Sequence, residues 1–238
     1  MAAPMRYADG VTNIGTGKTL SEMPMLDPTK VYGYWNDFFE YADADWVITS
    51  TNAGTTIISA TGAGGVVVLT TDTAEEDADW HQLSTDGGTT VSLPFYFAVG
   101  KKAWYKARFK FTEVTQAEAI LGLHTTDTDP SLSAVADGVW FETLDGTETL
   151  DLVIMKNSLP ARVTGIGTIL DDTFITAGFY WDGIDTIHYF VNDVEVGSIG
   201  VGASLPDDVY LSPSWGAEAG SGAACVMSID YMGAWMER

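Results

Sequence analysis

At 238 residues the chain has room for one large β domain or two small ones, and a fold of that size needs no covalent staple. Lys and Arg number 11 against 33 Asp and Glu, a formal charge of −22 that repels nucleic acid and anionic lipid and argues against both as partners. The single cysteine, Cys225, excludes an intrachain disulfide, and its apolar setting at residues 223–227 reads as a buried, inert thiol.

Residues 1 to about 30 carry Pro4, Gly10, Gly15, Gly17, Pro24 and Pro28, and neither hydrophobic period runs through them. The segment is nevertheless rich in apolar side chains, among them Met5, Tyr7, Leu20, Met23, Met25 and Leu26, with Arg6 between. We read residues 1–36 as an extended arm that either packs back on its own domain or lies along a partner surface. No basic-then-apolar leader opens the sequence, and no apolar run is long enough for a bilayer.

From Tyr32 onward the signals turn to strands. Residues 46–50, 55–59 and 65–70 are short β-branched runs bounded by Gly, Asn or Asp. Residues 103–112 alternate: Tyr105, Ala107, Phe109 and Phe111 point one way, Trp104, Lys106, Arg108 and Lys110 the other. Residues 137–144 and 148–155 pair as a hairpin across Asp145-Gly146, and 187–191 pairs with 194–197 across Asn192-Asp193. Two further runs, 209–213 and 224–235, close the chain. The acidic stretch 73–80 has helical residue types but no apolar face, and no convincing helix exists elsewhere. Many short strands at near-regular spacing predict an all-β jelly-roll sandwich over residues 37–238.

The residue chemistry is poor in catalytic groupings. His81, His124 and His188 are scattered, no nucleophile elbow is present, and His188 sits within a strand. Glu142, Asp145 and Glu148 are spaced by three, not by the two or four that would put carboxylates on one strand face, and a turn interrupts them. No catalytic residue, metal ligand or cofactor is assigned. The acidic loops at 72–79, 127–129 and 171–172 have oxygen donors suited to calcium but match no calcium-loop pattern. Lys101, Lys102, Lys106, Arg108 and Lys110 concentrate the chain's cations beside Trp104. They read either as partners for the chain's own acids across strands or as a docking strip for an acidic surface. The eight tryptophans read as core and rim residues of a large sandwich, the alternative being a carbohydrate-stacking platform.

Residues 178–197, with the strand 227–235, resemble the paired strands of concanavalin A-like (laminin-G or family 16 glycosidase-like) sandwiches. The strand 104–111 followed by 119–123 is similar to the central strands of that group. The resemblance implies such a fold over residues 37–238, and the family's Glu-x-Asp-x-x-Glu catalytic strand is missing, which implies no hydrolase. Residues 25–41 resemble the opening of tailed-phage capsid decoration (cement) proteins. That resemblance implies a non-enzymatic virion protein, made in the host cytoplasm and bound on the capsid surface. It would bind the major capsid protein through the arm as a homo-oligomer, a trimer being favoured. The alternative is a carbohydrate-binding or receptor-binding virion module with a lectin-like sandwich.

Overall fold

The computed structural model describes residues 12–13, 25–52, 54–59, 64–127, 135–220 and 222–238. Its strands form two large antiparallel sheets packed face to face. The seven-stranded sheet runs, edge to edge, through β12 (Leu159–Thr168), β11 (Thr149–Lys156), β10 (Gly138–Thr143), β9 (Ala117–His124), β16 (Ser212–Ala219), β7 (Ala78–Leu83) and β4 (Trp46–Ser50). The eight-stranded sheet runs through β15 (Val194–Gly200), β14 (Thr186–Val191), β13 (Ile175–Trp181), β8 (Ala103–Phe111), β17 (Val226–Glu237), β6 (Val67–Thr70) and β5 (Thr55–Ile58). Beside this path, β3 (Val31–Asn36) pairs with the far half of β17.

Alternation explains why these segments pair as they do. In β8 the odd-numbered positions are buried and the even-numbered ones are half-exposed, so Tyr105, Ala107, Phe109 and Phe111 enter the space between the sheets. From the facing sheet come Leu121, Leu123, Phe141, Leu152 and Trp215, all fully buried. Each such side chain contributes about 1.5–3 kcal/mol on leaving water, which is how the fold holds without a disulfide. Cys225 lies in this core as a free thiol, and burial pushes its pKa up to about 12.

Turn chemistry sets the registers. Asn192 and Asp193 both take positive φ (50° and 64°), the left-handed pair that a two-residue hairpin demands, and they join β14 to β15. The pairing expected across Asp145-Gly146 joins β10 to β11, with Phe141 opposite Leu152 and Gly146 at φ 74°. A third hairpin, β11 to β12, turns on Asn157 and Ser158, also at positive φ.

One boundary differs from the sequence reading. Val31–Asn36 lies within the segment assigned to the arm, yet it is a sheet strand whose Tyr32 and Tyr34 pack against the core. The last proline of the segment is Pro28, and the β3 residues beyond it pair with β17, so the sandwich begins before residue 37. Upstream, β1 (Thr12–Asn13) pairs with β2 (Met25–Leu26).

Candidate functional site

The outward faces of the two sheets are very different. On the seven-stranded sheet the outward side chains of β7, β9, β10 and β11 form a second, smaller core of Ala78, Trp80, Ile120, Trp140 and Val153. Val135 from the β9–β10 connection packs against them. The same connection is tied down by polar contacts: Gln82 Nε2 donates to the Thr125 carbonyl at 3.0 Å, and the Asp127 amide donates to Gln82 Oε1 at 2.8 Å. Beside this layer Glu142 and Asp151 share one guanidinium. Arg162 Nη1 donates to Glu142 Oε1 and lies 3.4 Å from Asp151 Oδ2, while Trp140 Nε1 donates to Glu142 Oε2 at 2.9 Å. Glu118, on the neighbouring strand, has its pKa raised, first by burial and then by the negative charges of Asp145, Glu142 and Glu76. The Asp145 amide, donating to Glu118, opposes the shift.

The eight-stranded sheet instead presents aromatic rings in register. Trp235 of β17 is the direct partner of Trp104 of β8; Trp104 is opposite Tyr180 of β13, and Tyr180 is opposite His188 of β14. The Trp104 and Tyr180 rings stack at 5.6 Å and 26°, and His188 leans on Tyr180 at 5.7 Å. At the near end Trp35 stacks on Trp235 at 5.7 Å and on Tyr231 at 5.1 Å. Trp35 is 49% exposed, so this cluster reaches solvent instead of filling a core.

One step along each strand, the row changes character. Opposite one another stand Trp35, Gly233, Lys106, Gly178 and Phe190. Trp35 and Trp235 fold over Gly233, where an added Cβ would lie 2.5 Å from Trp235 and 2.7 Å from Trp35. Gly178 leaves its stretch of sheet bare. Between the aromatic rings, with Gly178 in its floor, lies a groove of about 710 Å³. Among the described residues it is lined by Trp104, Tyr180, Phe190 and Trp235, with Lys106 and Asp193 as its charged groups.

The strand cations lie on this face, and each meets an acid of the chain itself. Lys106 Nζ is 2.5 Å from Asp193 Oδ1, Arg108 is paired with Asp230, and Lys110 Nζ is 3.1 Å from Asp172 Oδ1. Arg108 also lies over the Phe174 ring at 4.1 Å. Lys101 Nζ donates to the Arg238 carbonyl, and the Lys102 amide donates to Glu237 Oε2 at 2.9 Å, so both sit at the end of β17 away from the groove centre. Of the arm residues singled out in the sequence, Met25 and Leu26 form β2, while Met5, Arg6, Tyr7, Leu20 and Met23 lie outside the described residues. Among the described residues no group of three or more His, Cys, Asp and Glu is arranged to hold a metal ion. Sequence reading placed Trp104 and the cations on one face but missed the groove. The signal was present as Gly178 beside aromatic positions, and it becomes legible only once the register joins those strands.

No family model matches the chain, and no curated protein matches it in sequence. Solved structures do match in shape. A protein of unknown function from Shewanella oneidensis MR-1 superposes with a TM-score of 0.61 at 15% identity, over 92% of this chain and 91% of that one. The Bacteroides ovatus mixed linkage glucan GH16 protein, in complex with a product, gives 0.58 at 10% identity, over 84% and 98%. Peanut lectin gives 0.57 at 10% identity, over 87% and 97%. At these identities the likeness defines the fold alone: a concanavalin A-like, lectin-like β-sandwich.

Proposed function

We propose that this protein is a carbohydrate-binding module that holds its ligand in the aromatic groove of the eight-stranded sheet. One observation carries the reading. Trp235, Trp104 and Tyr180 stand in register on three adjacent strands, half-exposed, above a floor opened by Gly178. Flat apolar rings with a few polar groups at the rim match the two faces of a pyranose, whose C–H face stacks while its hydroxyls stay hydrogen-bonded. Neighbours of the same fold include a lectin and a glucan-related GH16 protein, which agrees with a sugar ligand without identifying one.

The module is non-enzymatic in this reading. Glycoside hydrolysis needs one carboxyl kept protonated and a second left free beside an open cleft. Glu142 and Asp151 are instead both held by Arg162, and the face they occupy carries Trp80, Trp140 and Val135 where a sugar would sit. The test is a panel of soluble and insoluble polysaccharides read by co-sedimentation and affinity electrophoresis, with a reducing-end assay on every polymer that binds. Retention without new reducing ends is the expected result. New reducing ends that vanish in Glu142→Gln overturn the non-enzymatic reading, and retention of no polymer overturns the binding reading.

The capsid-decoration alternative rests on the resemblance of residues 25–41 to the opening of virion proteins. It predicts ordered copies of the protein at symmetry-related positions on capsid shells lacking it, and loss of those copies on deletion of residues 1–30.

A further inference from the structure

We infer that the groove takes a neutral glycan chain laid across the strands, and that Lys106 and Asp193 together read one pair of adjacent hydroxyls on it. This rests on the carbohydrate-binding reading and narrows it from any polysaccharide to uncharged ones. Three observations converge on that choice.

The first is charge compensation. The three strand cations of this face are each matched by an acid: Lys106 by Asp193, Arg108 by Asp230 and Lys110 by Asp172. A uronate or sulfate entering the groove finds no spare positive charge, and the chain around it carries a formal charge of −22. Like-sign fields of this kind lower the local concentration of an anionic polymer. Desolvating its anions against the aromatic walls adds a further cost.

The second is the chemistry of the one charged pair that lines the groove. Lys106 is donor only, and the Asp193 carboxylate is acceptor only. Standing 2.5 Å apart beside the rings, they present a donor and an acceptor side by side. Two neighbouring hydroxyls, each able both to donate and to accept, satisfy that arrangement without moving a charge. Asp193 is fixed for the task by its place in the β14–β15 turn, at φ 64°.

The third is direction. The groove's aromatic lining, Trp235, Trp104, Tyr180 and Phe190, crosses four adjacent strands, that is three strand spacings or roughly 14 Å. A groove that long suits successive sugars of one chain, whereas a single terminal residue needs only a short pocket.

The experiment titrates the intact protein by affinity electrophoresis against a neutral glucan, the same glucan oxidised to its uronate, and a sulfated galactan, each at low and high salt. The inference expects the neutral polymer to bind at least tenfold more tightly than either anionic one, with less than a twofold change on adding salt. It also makes a prediction that a structural role for the pair would not. Asp193→Asn keeps the turn, because Asn accepts positive φ, but frees the Lys106 charge. That variant is expected to gain at least fivefold for the uronate polymer and to lose affinity for the neutral one. Lys106→Met is expected to weaken neutral binding about tenfold without the gain. Tighter binding of an anionic polymer to the wild type, or no gain in Asp193→Asn, overturns the inference while leaving the carbohydrate-binding reading intact. Binding of none of the three polymers, nor of the wider panel, overturns both.

Discussion

Trp104 and Trp235 sit opposite one another on neighbouring strands, and their half-exposed rings gain nothing from the sandwich core. Replacing either by alanine therefore costs the groove a platform while the core stays filled. Trp104→Ala and Trp235→Ala are each expected to lose at least tenfold in polysaccharide affinity, with a denaturation midpoint close to that of the wild type. Arg162 behaves in the opposite way. Without it Glu142 and Asp151, both buried, face each other uncompensated, so Arg162→Met is expected to cost about 2–4 kcal/mol of stability, near the range for breaking a buried pair. Its groove affinity should be unchanged, and guanidinium unfolding together with affinity electrophoresis reads both. The histidines add a pH dependence. Burial lowers the pKa of His81 to about 3 and that of His124 to about 4, from an ordinary 6.5. Between these limits the unfolded chain binds more protons than the folded one, so stability that is full above about pH 6.5 drains as pH falls. Unfolding midpoints measured at pH 7 and pH 5 should drop at the lower value. In His81→Phe, which keeps a ring on Trp215, the drop should be shallower.

At the scale of elements, legibility depended on whether a strand's neighbours are on its own sequence. The strand β8 alternates so regularly that both of its faces were readable from residues 103–112, and the turns at Asp145-Gly146 and Asn192-Asp193 announced their hairpins. The arm's boundary was misplaced because β3 gains its strand character from β17, some two hundred residues away. The strand β16 is the harder case. Its sequence, Ser212–Ala219, holds serine, proline, glycine, alanine and glutamate around one tryptophan, yet it lies in the middle of the seven-stranded sheet with all eight residues buried. Small residues are required there by what stands beside them: a Cβ on Gly216 would fall 2.1 Å from the Trp80 ring. The groove was hidden for the same reason, since Trp104, Gly178, Phe190 and Trp235 are spread through the sequence and line one groove only through the register. Close approach also sets a prediction for β9. An added Cβ at Gly122 would lie 2.4 Å from the Val139 carbonyl and 2.5 Å from Trp140, backbone that cannot step aside. Gly122→Ala is expected to destabilise the protein by about 1–3 kcal/mol, as overpacking does, and thermal unfolding would show it.

For the whole molecule, a formal charge of −22 on a compact sandwich stores self-repulsion that dissolved cations relieve. Raising sodium chloride from near zero to about 0.15 M, where the screening length falls to about 8 Å, should raise the unfolding midpoint. The same field gives the two faces distinct uses. On one sheet the outward surface is closed by its own small core and a carboxylate pair bridged by one arginine; on the other, aromatic rings in register surround a groove lined by one lysine and one aspartate. The measurement that bears most directly on this division of labour is a crystal structure of the protein with an oligosaccharide taken from the polymer it retains best. The account predicts sugar rings stacked on Trp104 and Trp235, with adjacent hydroxyls on Lys106 and Asp193. Sugar bound instead against Trp140 and Glu142 on the seven-stranded sheet, with the aromatic groove empty, would contradict it.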